Sequence, residues 1–308
     1  MHSFTISILI GSFYLPAMIT RTTRLLSTAL VGTALFAATV SAQAPSKIEF
    51  PAASPAASFK QTVGITDIEV IYHRPSMRGR VIFGGLVPYN EVWRTGANQA
   101  TKIKFSTPVK LNGTSIDAGT YELYSIPGKS SWTVIIHKDS SAWGAYAYDS
   151  KNDVARIEAK PTTTSSPVET FVIGVADIRD SAATLYLAWE RVRVPVTLEV
   201  DVKGMLLPKI EAIMASNSEK KPYAQAALFY FDNNLDLDKA VTWIDAAIAA
   251  KPDVFYYSYH KARILAKKGD KMGAIAAAEK SLEGARKAKG PIREEYIRLN
   301  ENLIKSLR

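Results

Sequence analysis

The stretch TKIKFSTPVKLNGTSIDAGTYELYSI, residues 101–126, shows how the first part of this chain folds. Apolar and polar residues alternate over 101–105 and again over 120–126, which is the period of a strand that buries one face. Asn112-Gly113 lies between them and predicts a two-residue hairpin turn, because both central residues of a type I′ turn need positive φ. The stretch therefore predicts consecutive antiparallel strands joined by tight turns.

Strand-like alternation continues on both sides of this stretch. About nine short strands are expected in all, and little helical periodicity separates them, which favours an antiparallel β-sandwich or barrel over a parallel sheet. We expect a β-rich domain over 58–202, preceded by a linker rich in Ala, Pro and Ser over 43–57. Two prolines that bracket a run of Thr and Ser predict a loop over 161–167. The flanking strands are predicted over 66–72, 132–137, 154–159, 170–175, 184–191 and 194–200.

Helical periodicity replaces the alternation in residues 203–308. Asp236 and Asp270 lie 34 residues apart, and Ala240-Val241 matches Ala274-Ile275 at the same spacing. This spacing is the tetratricopeptide period, and the segment resembles a short tetratricopeptide repeat. Only about two units are present, whereas about three are needed for an independent solenoid. We therefore expect this segment to pack on the β domain or on a protein partner.

An export signal is predicted near the start of the chain. Arg21 and Arg24 precede an apolar run over 25–40, which is shorter than the ~20 residues that span a bilayer. Val40-Ser41-Ala42 ends this run with small residues at the positions that a signal peptidase reads. We expect a signal peptide over 1–42, cleavage after Ala42, and a periplasmic or secreted protein with no stable membrane span after cleavage.

The residues before Met18 form a second apolar stretch. Translation that starts at Met18 would leave a single ordinary signal peptide. The alternative is a membrane hairpin or an uncleaved anchor.

The chain has no cysteine, which excludes disulfides, thiolate metal sites and a lipid-modified N-terminal cysteine. We therefore expect no lipoprotein. The four histidines are widely spaced, and none has a second histidine at metal-ligand spacing. No metal site and no cofactor is predicted.

The positive charge is concentrated in the helical part. Residues 43–202 contain 17 basic and 16 acidic residues, whereas 203–308 contain 19 basic and 13 acidic residues. Binding to nucleic acid or to a membrane surface is one interpretation of such an excess. Because the basic residues are spread through the helices, we favour a solvated helix surface and expect no nucleic-acid partner.

The region that follows the second predicted strand carries long distinctive motifs. They are YHRPS at 72–76, RGR at 78–80, IFGGLVPY at 82–89, VWRTGAN at 92–98 and AGTY at 118–121. From about residue 54 to 202, the chain closely resembles the bacterial envelope family called domain of unknown function 2911. The resemblance implies an envelope protein, and the family name supplies no activity.

The motif region is the first candidate site, because loops on a rigid scaffold often carry function. Guanidinium groups bind carboxylate or phosphate with two hydrogen bonds, and aromatic rings with an amide suit an anionic or sugar-like ligand. The alternative, which we favour, is that the arginines pin a long loop onto the sandwich. The candidate ligand-binding residues are Tyr72, Arg74, Arg78, Arg80, Trp93, Arg94 and Asn98.

A secondary candidate site lies around His137. Asp139, Ser140 and Ser141 follow it closely, but no Gly-x-Ser-x-Gly elbow is present. We therefore predict no catalytic residue. Trp143, Tyr146 and Tyr148 form an aromatic cluster in one predicted loop. Such a cluster suits stacking on a sugar ring, although packing of the loop itself is the more common outcome.

These observations favour a non-enzymatic exported module that binds a ligand through its β domain and another protein through its helices. The second hypothesis is an envelope hydrolase that acts on a glycan or an ester. The third is a structural or assembly factor without a ligand.

Overall fold

The computed structural model describes residues 49–138 and 143–308. The predicted signal peptide over 1–42 and residues 43–48 of the predicted linker lie outside the described residues. Residues Pro51–Arg308 form one compact unit, which contains both the β domain and the helices.

The β domain is a sandwich of two antiparallel sheets. In the described residues its strands are β1 Ala56–Val63, β2 Thr66–His73, β3 Thr101–Phe105, β4 Val109–Leu111, β5 Thr114–Ile116, β6 Gly119–Ile126, β7 Trp132–Lys138, β8 Asp153–Ala159, β9 Thr162–Ala176 and β10 Ala182–Val200. One sheet has the strand order β1-β2-β3-β6-β7-β8, and the other has the order β5-β4-β10-β9. The predicted sandwich is confirmed, and the barrel alternative is wrong because the strands separate into two sheets.

The Asn112-Gly113 hairpin is confirmed. Leu111 pairs with Thr114 across the turn, and φ is 45° at Asn112 and 82° at Gly113. Both central residues therefore adopt the positive φ of a type I′ turn.

Aromatic rings fill the space between the two sheets. Trp93 stacks on Trp189 with ring centroids 5.9 Å apart and an interplanar angle of 19°. Phe171 lies 5.1 Å from the Trp93 ring and 5.8 Å from the Trp189 ring. Alternate residues of the strands, such as Ile103 and Leu123, complete this core with no exposed surface. We call the face of the six-stranded sheet that points away from this core the outer face.

Three sequence predictions for the β domain were wrong in detail. β1 begins at Ala56, two residues inside the predicted linker. Residues 162–167 are not a loop but the start of β9. A proline is tolerated there because β9 lies at the edge of its sheet and an edge strand has amide groups that need no partner. The strands predicted over 184–191 and 194–200 form the single strand β10, which is bulged around Glu190.

Six helices follow the sandwich in the described residues. They are α1 Val202–Ala215, α2 Tyr223–Asp232, α3 Leu237–Ala250, α4 Tyr256–Lys268, α5 Lys271–Lys287 and α6 Pro291–Leu307. Asp236 caps α3 and accepts hydrogen bonds from two backbone N–H groups of its first turn, and Asp270 caps α5 and accepts one. The 34-residue repeat is therefore visible in the caps, while tetratricopeptide identity stays a prediction. Within the described ranges, no helix combines the length and apolarity needed to cross a membrane.

Candidate functional site

Two of the predicted ligand-binding residues belong to the core. The Tyr72 side chain is 4% exposed and the Trp93 side chain 7%. The Tyr72 hydroxyl donates to the carbonyl of Ile173 and accepts from its N–H, at 3.3 and 3.2 Å. The Trp93 Nε1–H donates to the Gly96 carbonyl at 3.1 Å. Tyr72 thus joins the two sheets, and the Trp93 ring is too buried to contact a ligand at the surface.

Three of the predicted arginines bind main-chain carbonyl groups. Arg74 Nε donates to Phe171 O at 2.9 Å, and a terminal nitrogen of Arg78 donates to Ala53 O at 3.3 Å. Arg80 donates to the carbonyls of Met77 and Ser76, three and four residues before it. These contacts agree with a structural clamp. They give no support to a single cleft lined by all seven candidate ligand-binding residues. Ligand binding through Arg74, Arg78 and Arg80 stays a prediction.

Arg94 and Asn98 lie on a loop that is tied to the six-stranded sheet. Trp93 and Ser125 of β6 exchange two backbone hydrogen bonds at 2.8 and 2.9 Å. Asn98 adopts a φ of 58°, which asparagine tolerates better than most residues. Arg94 is half-buried, and its Nε is shielded from water with no hydrogen-bond partner among the described residues. Arg94 is thus the one predicted arginine without a described clamp contact from its side chain.

The loop of Arg94 and Asn98 meets the segment that follows the His137 strand. Gly144 N–H donates to Asn98 O at 3.1 Å, and Gln99 forms a β-bridge with Trp143. The structure therefore brings part of the first candidate site next to the second.

Two large aromatic side chains are exposed at this junction. The Trp143 side chain is 60% exposed and the Tyr146 side chain 89%. The Tyr146 ring lies over Gly144, where a β-carbon would come within 2.8 Å of it. Gly144 also has a φ of 73°, a backbone conformation that favours glycine. The expectation that these aromatic residues pack within their own loop is not met for Trp143.

A row of ionisable side chains crosses the outer face beside this segment. In the strand register, Lys102 on β3 lies opposite Glu122 on β6. Glu122 in turn lies opposite His137 on β7, and His137 lies opposite Asp153 on β8. Residues paired in this way point to the same face of a sheet. Basic and acidic groups therefore alternate along four adjacent strands.

His137 and Asp153 form a buried pair within this row. Their side chains are 2% and 8% exposed, and His137 Nδ1 lies 3.0 Å from Asp153 Oδ1. Burial alone would raise the pKa of Asp153, but hydrogen bonds from His137, Tyr148 and Arg156 outweigh it and hold that pKa below its usual value. Because an ionised carboxylate only accepts hydrogen bonds, the Nδ1 of His137 carries the proton. This fixes the orientation of the ring and its tautomer.

Tyr148 and Arg156 complete the shell around Asp153. Tyr148 donates to Asp153 Oδ2 at 2.8 Å and accepts from Arg156 at 2.7 Å. Arg156 Nε also donates to Asp153 Oδ2, at 2.7 Å. Burial and the Asp153 carboxylate raise the pKa of Tyr148 to about 12, so its hydroxyl remains a donor at neutral pH.

Glu122, like Asp153, accepts a hydrogen bond from a tyrosine on the same face of the sheet. Its side chain has no exposed surface, and it accepts a hydrogen bond from the Tyr124 hydroxyl at 3.1 Å. Burial, followed by the charge of Glu122, raises the pKa of Tyr124. Tyr124 also packs with Ala100 and Ile135 in a small apolar cluster that Tyr148 covers. The segment of Trp143 and Tyr146 thus rests on a rigid polar and apolar layer.

We call Arg94, Asn98, Trp143 and Tyr146 together the outer-face site. The sequence alone pointed to these four residues, to His137 and to Tyr148, but not to Glu122, Tyr124, Asp153 and Arg156. The only available signal was a polar residue facing the polar side of each predicted strand, which is also typical of plain solvent exposure. In the described parts of the chain, no three His, Asp or Glu side chains are grouped so as to hold a metal ion. Asp139, Ser140 and Ser141 lie outside the described residues.

Comparisons with known proteins agree with the resemblance in the β domain. Residues 54–198 match the model of the family described as "Protein of unknown function (DUF2911)". The matched range ends before α1 and leaves out the helices. Searches of curated proteins and of solved structures found no match.

Proposed function

We propose that this protein is an exported, non-enzymatic binding module whose β domain holds an anionic or sugar-like ligand at the outer-face site. The observation that carries the proposal is the exposure of Trp143 and Tyr146, 60% and 89%, on a segment bonded to the loop of Asn98. Exposed aromatic rings held on a rigid support are typical of recognition surfaces, because they offer apolar area with little loss of side-chain entropy.

Polar residues on the neighbouring loop suit a ligand with acceptor oxygens. Arg94 is half-buried, and a guanidinium matches the geometry of a carboxylate or phosphate. The Asn98 amide both donates and accepts hydrogen bonds, as hydroxyl groups require. An acidic sugar presents an apolar ring face, hydroxyls and a carboxylate together, and it therefore offers a chemical partner to each of these residue types.

A thermal-shift screen of the chain from residue 43 onward tests this proposal. Neutral sugars, sugar acids and simple organic acids are compared with buffer alone. A ligand must raise the unfolding temperature, because it binds the folded state. We expect a concentration-dependent rise with sugar acids that is lost in Trp143→Ala. Met272 is 84% exposed and lies on α5, so Met272→Ala is the matched control and should respond like the wild type. The absence of any shift would favour a structural or assembly factor.

Export rests on the arginines and the apolar run of the predicted signal peptide. The test is N-terminal sequencing of the protein recovered from a bacterial envelope fraction after expression of the full chain. A mature chain that begins at Gln43 supports cleavage after Ala42. An uncleaved chain that stays with the membrane supports the anchor alternative.

A second candidate function, hydrolysis of a glycan or an ester, is favoured by the His137–Asp153 pair. A carboxylate that orients a histidine is part of many hydrolase sites, although no nucleophile is hydrogen-bonded to His137 among the described residues. Hydrolysis of chromogenic esters and glycosides by the wild type, lost in His137→Asn, would establish this function. Equal background rates for both proteins would exclude it for those substrates.

We also infer that the helical segment contacts another protein. Its support is the small size of the helical stack, which has about two 34-residue units where about three are needed for an independent solenoid. Retention of a purified protein partner by the full chain, but not by a chain ending at residue 202, would test the inference.

A further inference from the structure

One face of α4 gathers aromatic and basic side chains. Tyr256, Tyr259, His260 and Arg263 follow one another at helical spacing and therefore share a face of the helix. Tyr296 on α6 joins them, with ring centroids 5.8 Å from Tyr256 and 5.5 Å from Tyr259. All five side chains are partly exposed. The rings form a contiguous surface that is neither fully buried nor fully solvated.

Two cations adjoin these rings on the side of α2. Arg263 and Lys267 both lie over the Phe231 ring, at 4.6 and 4.5 Å from its centroid. Lys267 also donates to Phe231 O at 2.5 Å. Within the described part of the chain, neither cation lies close enough to an acidic side chain to form an ion pair. By contrast, Lys268, one position further on, pairs with Asp238.

His260 lies among these rings with one ring nitrogen unpaired. Its Nδ1 is shielded from water and makes no hydrogen bond among the described residues, whereas buried polar atoms nearly always have one. Burial and the nearby Arg263 lower the pKa of His260, and Asp232 opposes them only in part. The His260 ring therefore favours its neutral form, and Arg263 and Lys267 supply the positive charge of this face.

We propose that this aromatic–basic face, made of Phe231, Tyr256, Tyr259, His260, Arg263, Lys267 and Tyr296, binds an acidic extended segment of a partner protein. The proposal rests on the inference that the helical segment contacts protein, and it specifies the chemistry of the partner. Carboxylates complement Arg263 and Lys267, and they also accept hydrogen bonds from tyrosine hydroxyls. The rings supply the apolar area of a protein interface, where Tyr and Arg are enriched.

A nucleic acid is the less suitable occupant of this face. Phosphate backbones are held by several basic residues in a track, whereas this face presents two cations, Arg263 and Lys267, over one ring. A short acidic peptide needs no more than these two cations and can place apolar side chains on the tyrosine rings.

Fluorescence anisotropy with the full protein tests the proposal. The probe is a labelled peptide rich in Asp, Glu and Phe, and the reference probe has Asn and Gln in place of the acids. We expect the acidic peptide to bind and the neutral one to bind at least about tenfold more weakly, a ratio that corresponds to ~1.4 kcal/mol. Single-stranded RNA of mixed sequence is the third probe, and RNA that binds more tightly than the acidic peptide would overturn the proposal.

Variants separate this face from the overall charge of the helices. Arg263→Ala should weaken acidic-peptide binding about tenfold, as expected for a central interface residue. Arg263→Gln keeps most of the stem over Phe231 and should weaken binding similarly if the alanine variant unfolds. Lys268→Ala, the matched control, removes the same charge from α4 at an ion-paired position and should change binding less than about twofold. Equal losses in Arg263→Gln and Lys268→Ala would mean that overall charge, not this face, attracts the peptide.

One outcome separates the partner's chemistry from the broader function. If the neutral peptide binds as tightly as the acidic one, and Arg263→Gln changes neither affinity, the proposed acidic specificity is overturned. The inference that the helical segment contacts protein would still stand.

Discussion

The carboxylate of Asp153 holds the imidazole of His137 at 3.0 Å in a place that is almost closed to water. Asp153 also accepts from Tyr148 and Arg156, so its charge is balanced by three donors. A buried carboxylate with this many partners is ordered and costly to disturb. It gives the segment that carries Trp143 and Tyr146 a fixed support.

Asp153→Asn removes the charge while keeping the size of the side chain. The amide cannot accept from His137, Tyr148 and Arg156 as the carboxylate does, so we expect the free energy of unfolding to fall by about 2–4 kcal/mol. Asp67, which pairs with Lys60 at an exposed position, provides the control, and Asp67→Asn should change stability by less than about 1 kcal/mol. Urea unfolding followed by circular dichroism measures both. Equal effects of the two substitutions would contradict a special role for Asp153.

The same carboxylate predicts how stability depends on pH. The pKa of Asp153 is lower in the folded state than its usual value, so its stabilising contribution is complete above the unfolded pKa, near 3.9. It is lost as the pH falls through the lower folded pKa. Urea unfolding at a series of pH values below 5 should therefore show a smaller loss of stability in Asp153→Asn than in the wild type. Parallel curves for the two proteins would show that Asp153 is not the responsible group.

Arg74 and Arg80 should differ in their effect on stability, because they clamp different parts of the chain. Arg74 bonds to Phe171 on β9, 97 residues away, whereas Arg80 bonds only to carbonyls three and four residues before it. We expect Arg74→Ala to reduce the free energy of unfolding by about 1–2 kcal/mol and Arg80→Ala by less than about 0.5 kcal/mol. Neither substitution should alter ligand affinity at the outer-face site. A loss of ligand affinity in Arg80→Ala would show that the loop around Arg80 contributes to ligand binding.

Two tryptophans that sequence alone treated as possible ligand contacts should behave in opposite ways. Trp93→Ala empties a place in the core between Trp189 and Phe171 and should cost about 3–5 kcal/mol. Trp143→Ala removes a side chain that is 60% exposed and should change stability by less than about 1 kcal/mol. Thermal unfolding of both variants checks this. Strong destabilisation by Trp143→Ala would mean that Trp143 is a packing residue.

Most of the fold could be predicted from the sequence, because the patterns that indicate its strands, turns and helices are local. The alternation in 101–105, the Asn112-Gly113 turn and the proline and glycine positions around the helices each act within a few residues. The errors arose where a non-local factor decided the outcome. Pro167 suggested a loop, but β10 extends far enough to pair with Thr162 and Thr163 and keeps that region in a sheet. Propensity gave no sign of that partner.

The candidate site could be predicted from the sequence only in part. Arg94, Asn98, Trp143 and Tyr146 drew attention as residue types with binding chemistry, but the sequence could not show that their two segments are neighbours. The segments are joined by the hydrogen bond from Gly144 to Asn98, which links residues 46 positions apart. Tyr72 and Trp93 have the same binding chemistry but lie in the core, because burial is set by the packing of two sheets rather than by residue type.

The proposed outer-face site is tested by isothermal titration of the chain from residue 43 onward with the sugar acid that gives the largest thermal shift. Trp143→Ala and Arg94→Gln should each weaken binding about tenfold or more, equivalent to at least ~1.4 kcal/mol, while Met272→Ala binds like the wild type. Unchanged affinity in both Trp143→Ala and Arg94→Gln, with heat of binding still present, would place the ligand elsewhere and rule out binding at the outer-face site.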